Sequence, residues 1–210
     1  PWRLPDVEAL PPVEVTFAPP GQPDVKFQPY ARDPKTLARP WAKPGTPGLV
    51  HRIGGLEKQD VTGNISYDPD NHQHMVDTRA RKVANVAAGV PPLETIGERQ
   101  GDVLVLGWGS PRGAITAATM RLQKQGHRIS CAFLRHLNPL PNDLEALMRG
   151  FRRVVLPELN KGQLAMMLRA RFLIDVESYS QVNGQPFKSQ DIEDHLKNVL
   201  AGTAAKEGGR

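Results

Sequence analysis

The sequence is poor in cysteine and has no long apolar run. Its single cysteine, Cys131, excludes a disulfide within the 210-residue chain and suits a reducing compartment, so a cytoplasmic location is expected. An iron–sulfur cluster normally takes four thiolates, so this chain is not expected to hold one alone. No run approaches the roughly 18 apolar residues of a membrane span. The start, Pro1, has neither Met nor a signal-peptide pattern and is interpreted as a truncation or a cut.

Several sequence signatures of chemistry are also missing. There is no phosphate-binding P-loop, no G-x-S-x-G nucleophile elbow and no acidic Gly-Asp-Gly motif for a metal-bound diphosphate. His72 and His74 are two residues apart on a predicted helix, which is poor geometry for a shared metal ion. The net charge is +5, but the basic residues are scattered and mostly interleaved with acidic ones, so nucleic-acid binding is not predicted. We therefore assign no catalytic, cofactor-binding or metal-binding residue to this chain.

Proline is abundant in the first part of the chain, and it indicates how the chain is organised. Twelve of the 20 prolines lie in residues 1–50, and proline excludes helix interiors. Residues 1–67 are therefore predicted to be an extended arm followed by a glycine-dotted loop. Asp68-Pro69-Asp70 is typical of a helix start, and Met75, Arg79, Val83 and Val86 follow at helical spacing. Residues 68–100 are predicted to be a linker helix, over about 68–88, and a connector.

Strands and helices alternate from residue 101 onwards. Apolar runs predict strands at Val103–Leu106, Ile129–Leu134, Arg153–Leu156 and Asp175–Tyr179, with helices after each. This alternation predicts an α/β fold, a three-layer αβα domain with a mostly parallel sheet, over residues 101–200. Residues 201–210 are small and polar and are predicted to be a flexible tail.

Polar residues near the predicted helix starts are interpreted as caps. Ser110 precedes Pro111 and suits the N-cap of the first helix of this domain, and Asn142 with Glu145 suits a capping box on the second. Asn160 is expected to cap the third helix, whose buried face is predicted to be Leu164, Met167, Leu168 and Phe172. Ser189 is expected to cap the last helix, with Ile192, Leu196 and Val199 buried.

The glycine-rich turn between the first strand and helix of this domain, residues 107–113, lies where a dinucleotide fingerprint would lie. Its third glycine, Gly113, is one position late for G-x-G-x-x-G, and the acidic residue expected about 20 positions on is absent. A tight turn before a helix explains the same residues. A free-standing nucleotide-binding module therefore stays open as an alternative function.

Polar side chains follow the predicted strands, and the carboxyl ends of parallel strands meet at one edge of a sheet. This edge, or the loop that contains His51 and Arg52, is a candidate interface with another domain or subunit. A small-ligand site and simple helix capping are the alternatives at the edge, and a salt bridge is the alternative in the loop. The candidate sheet-edge residues are Ser110, His136, Asn138, Glu158, Asn160 and Gln163.

Ordered strings in the sequence resemble a known family. They are HRIGGLE at 51–57, TGNISYDP at 62–69, VLVLGWGS at 103–110, HLNPLP at 136–141 and PELNKGQL at 157–164. Their order and spacing are similar to those of the alpha subunits of 2-oxoglutarate:ferredoxin oxidoreductases, over nearly the whole chain. The resemblance implies a transketolase C-terminal-like domain from about residue 100, and before it the end of a pyrimidine-binding domain.

The resemblance also implies the chemistry of the whole enzyme. Such an enzyme converts 2-oxoglutarate, coenzyme A and oxidised ferredoxin into succinyl-CoA, CO₂ and reduced ferredoxin, with thiamine diphosphate, Mg²⁺ and an iron–sulfur cluster. Thiamine diphosphate would lie between the rest of the alpha subunit and the beta subunit, and the beta subunit would hold the cluster. The expected partners are therefore the remainder of the alpha subunit, the beta subunit and ferredoxin. Pyruvate or another 2-oxoacid is the alternative substrate, and this chain is expected to serve structure and assembly.

Overall fold

The computed structural model describes residues 4–22 and 25–205, without the side chains of 203–205. The chain forms two compact units, residues 1–85 and residues 86–210. The predicted linker helix lies in the first unit, whereas the predicted connector after it lies in the second. The division into an arm, a linker and a C-terminal domain stays a prediction about the domains of the longer protein.

The first unit is mostly irregular chain, as the prolines predict. Before residue 69 its described regular structure is a short 3₁₀ helix, Val7–Ala9, and three isolated bridges, Phe17 with Trp41, Tyr30 with Val61, and Lys58 with Ile65. Helix α1 spans Pro69–Asn85. Asp68 Oδ1 accepts a hydrogen bond from Asp70 N at 3.0 Å, so the predicted start signal is confirmed. A 3₁₀ turn at Val86–Gly89 follows the helix.

The second unit is built on one five-stranded sheet. Its strands are β1 (Thr95–Ile96), β2 (Gly101–Trp108), β3 (Ile129–Leu134), β4 (Phe151–Glu158) and β5 (Val176–Ser180), in the order β1-β3-β2-β4-β5. Strands β2 to β5 are parallel, and β1 pairs antiparallel with β3. Four strands were predicted, and the structure adds β1, whose two residues are too few to show a period. The predicted mostly parallel α/β fold is confirmed.

Four helices cover the two faces of this sheet: α2 (Arg112–Lys124), α3 (Leu144–Arg149), α4 (Gln163–Phe172) and α5 (Ser189–Ala205). Leu104 and Leu106 of β2 pack with buried residues of α3 and α4. Val103 and Val105 alternate to the other face and pack with α2 and α5. Side chains of successive strand residues point to opposite faces, so β2 is apolar throughout because both of its faces are covered.

Two of the predicted helix caps are wrong. Helix α2 begins at Arg112 and has no side-chain cap; Ser110 is exposed, and the backbone carbonyl of Pro111 accepts from Ile115 N instead. Helix α3 begins at Leu144 without a side-chain cap, and Asn142 donates to Ala87 O at 3.1 Å. A polar side chain before a helix has competing partners, and the Asn142 side chain bonds the Ala87 carbonyl and not the start of α3.

The buried face of α4 also differs from the prediction. Leu164 and Leu168 are buried as expected, but Met167 is 40% exposed and Ala165 is buried in its place. Ile192, Leu196 and Val199 of α5 are buried, as predicted. Helix α5 continues to Ala205, so half of the predicted tail is helical, and residues 206–210 lie outside the described part of the chain. None of the described helices is both long and apolar enough to cross a membrane.

Packing explains the first glycine of the 107–113 turn. Gly107 lies inside β2, and a Cβ there would lie 2.8 Å from the Phe133 ring and 2.7 Å from Ile115 Cδ1. Glycine at this position therefore lets helix α2 and strand β3 pack closely on β2. Gly109 has φ +67, so it adopts the left-handed conformation that a turn out of the strand requires. The glycines have these structural reasons, whether or not a nucleotide binds.

Candidate functional site

The sheet edge after β4 brings together three of the predicted residues. Glu158 is 1% exposed, and its carboxylate accepts from the backbone N–H groups of Leu164 and Ala165, each at 3.1 Å. Asn160 donates to Glu158 Oε1 at 3.1 Å and accepts from the N–H groups of Gly162 and Gln163. These acceptors satisfy the first turn of α4. Their polar groups are thus engaged in building the helix start.

The neighbouring sheet edge after β2 is more open. The strand order reverses at β2, since β3 lies on one side and β4 on the other, and such a switch point is where α/β sheets favour ligands. Ser110 lies at this point, is exposed, and makes no capping hydrogen bond to α2. On the β4 side of the switch point, Glu158 and Asn160 are already engaged by α4. Ser110 is therefore the predicted polar residue at this point that the start of the following helix does not engage, whereas Glu158 and Asn160 build the start of α4.

The edge after β3 leads to a cavity. His136 lines a cavity of about 190 Å³, together with Arg135, Arg112 at the start of α2, and the segment from Val90 to Ile96. Phe133 forms part of its apolar wall. Asn138 is exposed and is not part of this cavity lining. The structure thus separates the two predicted residues of this loop.

The segment from Val90 to Ile96, which lines this cavity, is held by a cluster of hydrogen bonds that the sequence did not reveal. The carboxylate of Asp143 accepts from Leu93 N at 3.0 Å and from Arg99 Nη2 at 2.7 Å. Arg99 also donates to Leu93 O at 2.7 Å. The two partners of Asp143 are 44 and 50 residues away in sequence, so no local spacing announces the cluster.

The two predicted residues of the first unit lie in its glycine loop. His51 donates from Nδ1 to Leu49 O at 2.7 Å, and its ring meets the Phe27 ring edge-on at 5.2 Å. Arg52 is exposed. Neither side chain forms an ion pair within the described residues, so the salt bridge considered for this loop is not found.

The charged centre of the first unit lies instead where the loop meets α1. Glu57 accepts from His72 Nδ1 at 2.7 Å and from Arg79 Nη1 at 3.3 Å. The hydrogen bonds from Arg79 and then His72 lower the pKa of Glu57 to about 2. Asp60 pairs with His74 Nε2 at 2.8 Å. His72 and His74 thus hold separate carboxylates, and we call these contacts the loop clasp.

A buried lysine completes the same loop. Lys58 is 3% exposed, and its ammonium donates to the carbonyls of Gly54, at 2.9 Å, and of Leu56. Backbone carbonyls take the place of a carboxylate partner, which is how a buried cation is satisfied here. Glu57, Lys58 and Asp60 lie between the HRIGGLE and TGNISYDP strings or within them. The side-chain partners of the two acids are 14 to 28 residues away, and sequence reasoning missed them.

The titratable side chains of the described residues do not cluster as metal ligands do. No group of three or more His, Cys, Asp and Glu side chains in residues 4–22 and 25–205 is placed to hold a metal ion. Cys131 lies in the middle of β3 with no exposed surface, and burial raises the pKa of its thiol. With one cysteine in its sequence the chain lacks the thiolates of an iron–sulfur cluster, and its described residues do not form a ligand set for a metal-bound diphosphate.

Comparison with known proteins identifies the class first. No protein-family model matches the chain. Its structure matches that of a 2-oxoglutarate:ferredoxin oxidoreductase from Magnetococcus marinus, solved with 2-oxoglutarate, coenzyme A and succinyl-CoA bound, with a TM-score of 0.83 and 28% sequence identity. The match covers 93% of this chain and 34% of that one. The fold is thus that of a portion of an oxidoreductase subunit.

The sequence relatives then identify the family. The chain is 49% identical over 208 residues to the 2-oxoglutarate oxidoreductase subunit KorA of Mycobacterium tuberculosis, which covers 98% of this chain and 31% of the relative. It is 32% identical over 167 residues to subunit alpha of a 2-oxoacid:ferredoxin oxidoreductase of Aeropyrum pernix, covering 77% of this chain and 26% of that subunit. The chain corresponds to the C-terminal portion of an alpha subunit of the 2-oxoacid:ferredoxin oxidoreductases. It spans about a third or less of the length of these relatives.

Proposed function

We propose that this chain is the structural and assembly portion of the alpha subunit of a 2-oxoglutarate:ferredoxin oxidoreductase. The observation that carries this proposal is the 49% identity to KorA over 98% of the chain. In the proposed reaction the bond between the carboxylate carbon and C2 of 2-oxoglutarate breaks and CO₂ leaves. The succinyl group passes to coenzyme A, and two electrons reduce ferredoxin. We place this enzyme in the cytoplasm.

The cofactors of the proposed enzyme are thiamine diphosphate with Mg²⁺ and an iron–sulfur cluster, held by the rest of the alpha subunit and by the beta subunit. Thiamine diphosphate supplies carbanion stabilisation when it is bound. Two features of this chain support the proposal that the cofactors and the reaction lie on other parts of the enzyme. Its one cysteine is buried. Glu57 and Glu193, whose pKa values are strongly lowered, are both engaged in ion pairs. Ion-paired carboxylates with low pKa values are poor general bases at neutral pH.

The surface of the first unit supports a role in assembly. Many of its large apolar side chains are exposed, including Trp41 at 68%, Val50 at 96% and Ile53 at 81%. Exposed apolar side chains in this number are typical of surfaces that another protein part covers. The partners proposed for this surface are the remainder of the alpha subunit and the beta subunit.

Co-purification and turnover test the proposal together. The full-length alpha subunit that contains this chain is co-expressed with its beta subunit, and ferredoxin reduction is measured with 2-oxoglutarate and coenzyme A. We expect a stable complex and reduction that depends on both. A complex that forms but reduces ferredoxin only with pyruvate would favour the alternative substrate and would leave the assembly role intact.

The loop interface has a sharper test with a matched control. The double variant Arg52→Glu/Ile53→Asp changes an exposed cation and an exposed apolar residue of the first unit. The control variant Arg128→Glu/Leu173→Asp likewise reverses one exposed arginine and replaces one exposed aliphatic side chain with Asp, in the second unit. We expect the first variant to lose co-purification with the beta subunit and the second to keep it. Equal behaviour of the two would refute the loop as an interface.

The nucleotide-binding alternative rests on the strand–turn–helix context of residues 107–113. Trp108 ends β2 and is partly buried beside that turn. Titration of NAD(P)H against Trp108 fluorescence therefore tests it. Saturable quenching at about micromolar concentrations, in the range of ordinary cofactor affinities, would favour the nucleotide-binding module over the assembly role.

A further inference from the structure

The cavity beside β3 combines an apolar wall with three basic side chains. Leu93, Ile96 and Phe133 contribute apolar surface to it. The basic side chains come from separate stretches of chain and are those of Arg112, Arg135 and His136. A site in which a few polar groups converge on an apolar wall is the usual form of a small-molecule site.

These basic groups are not neutralised within the described part of the second unit. Arg112, Arg135 and His136 form no ion pair there, and Glu94, the acidic residue of the lining, forms none with them. The Arg112 guanidinium lies 5.0 Å from the centroid of the Phe133 ring, a cation–π contact that holds it at the cavity and leaves its N–H groups available.

Other arginines of the same unit behave differently. Each of five others pairs with a carboxylate: Arg99 with Asp143, Arg121 with Glu193, Arg149 with Glu145, Arg153 with Glu177, and Arg169 with Asp175. The cavity thus concentrates unneutralised positive charge in a unit that otherwise pairs much of it. A concave, basic surface of this kind focuses an attractive potential on an anion.

The cavity wall is built before any ligand arrives. Leu93 is fixed by Asp143 and Arg99 through its N–H and its carbonyl. Ile96 is paired with Cys131 in the sheet, and its carbonyl accepts from Gln123 Nε2 at 3.1 Å. A ligand that enters therefore orders few protein groups, which keeps the entropic cost of binding low.

Size and charge define the class of ligand. About 190 Å³ is below the 300–1,000 Å³ typical of pockets for drug-sized molecules and somewhat above the roughly 150 Å³ cavity that holds benzene. Arginine pairs oxyanions through two parallel hydrogen bonds, and two arginines with a histidine offer more donors than a carboxylate has oxygens. We propose that this cavity binds the phosphate group of a small phosphate monoester, with the adjoining carbon atoms against Phe133 and Ile96. This proposal is independent of the reaction proposed above.

Isothermal titration calorimetry on the whole 210-residue chain tests this site, in a buffer free of phosphate and sulfate and at fixed ionic strength. The probes are phenyl phosphate, inorganic phosphate and benzoate. We expect saturable one-site binding of phenyl phosphate. Inorganic phosphate, which lacks the apolar part, and benzoate, which lacks the third oxygen and the second charge, are each expected to bind at least about tenfold more weakly.

Matched variants locate the binding. Arg112→Gln and Arg135→Gln are each expected to weaken phenyl phosphate at least about tenfold, the loss typical of one charge-assisted contact. Arg128→Gln removes an exposed arginine whose side chain forms no ion pair within the described residues and does not line the cavity, and it should leave the affinity unchanged. Circular dichroism confirms that each variant is folded, and Arg135→Lys should restore part of the affinity. No saturable binding, an equal loss with Arg128→Gln, or benzoate binding as tightly as phenyl phosphate would each overturn the proposal.

Discussion

The two units of the chain solve the problem of stability in different ways. In the second unit two apolar clusters, one on each face of the sheet, exclude solvent from whole side chains of β2, α2 and α3. In the described residues of the first unit the buried apolar side chains are those of Pro29, Leu49 and Met75, and many others are exposed. The loop clasp and turn hydrogen bonds hold that unit, and each exposed ion pair contributes little. The second unit therefore buries many more apolar side chains than the described part of the first unit does.

Proteolysis is expected to give the largest difference between the units. Irregular chain opens at almost no free-energy cost, and a packed sheet opens near the global free energy of unfolding, so trypsin should cut the arm at about a hundredfold or higher rate. Exposed Lys26 and Lys35, neither of which is followed by proline, are suitable sites. Mass spectrometry of timed digests measures this. The beta subunit should protect the arm in the complex, and an intact arm beside a fragmented 101–200 block would contradict the comparison.

Core truncation is expected to give the next largest effect. Leu106 has no exposed surface, and Leu106→Ala should lower the free energy of unfolding of the second unit by about 2–5 kcal/mol, through lost transfer energy and a residual cavity. Leu56, in the first unit, is 52% exposed, and Leu56→Ala should change the free energy of unfolding of its own unit by less than about 0.5 kcal/mol. Urea denaturation followed by tryptophan fluorescence measures both variants, and equal losses for the two leucines would remove the contrast.

The buried acid at the sheet edge should come third. Glu158→Gln keeps the size of the side chain but replaces one carboxylate oxygen with an NH₂ group, which donates and cannot accept. One of the two N–H groups that now donate to separate oxygens of Glu158, those of Leu164 and Ala165, therefore loses its acceptor. We expect a loss of about 1–3 kcal/mol and faster hydrogen exchange at those two amides. Glu145→Gln alters an exposed pair with Arg149 and serves as the control, with a change near zero to 0.5 kcal/mol.

Acid should affect the loop clasp by a smaller amount. The pKa of Glu57 in the folded protein is about 2, below the ordinary value of about 4.3. Its contribution is therefore fully present above about pH 4.3 and is lost as the pH falls towards 2. The protection of Ser66 N, which donates to Glu57 O, is measured as its hydrogen-exchange rate relative to the intrinsic rate at each pH. This protection should fall as the pH falls through that window, and it should depend less on pH in Glu57→Gln. An unchanged acid profile in that variant, with Glu14→Gln as the control, would show that the clasp does not stabilise the loop.

The same contrast explains which parts of the fold followed from the sequence. The strands and helices of the second unit repeat their apolar residues with a period that burial imposes, so β3 was predicted at Ile129–Leu134 with its observed bounds. The two residues of β1 have no period, and their place depends on pairing with β3. The clasp of the first unit joins residues 14 to 22 positions apart in irregular chain, where no local rule applies.

The candidate site was predictable to a similar extent. Parallel strands bring polar loops to one edge, and Glu158 and Asn160 do meet there. The contact of Asn160 with the start of α4 was predicted from its position before that helix, whereas the bonds from Leu164 N and Ala165 N to Glu158 span six and seven residues and were not predicted. His136 was expected at the edge, but its cavity also needs Arg112 and the β1 segment. That segment is positioned by Asp143 and Arg99 across long sequence separations.

The short strand β1 also has a consequence for how copies of this chain meet in a crowded solution. It ends one side of the sheet with two residues, so it presents few backbone N–H and C=O groups to a strand from another molecule. The opposite side ends in β5, whose five residues carry Glu177 and its ion pair with Arg153. Charge on an outer strand opposes strand addition. One edge of the sheet is thus too short to pair with a strand from another molecule, and the other edge carries charge. Both features oppose the growth of this sheet, whose centre is strongly apolar, into an aggregate.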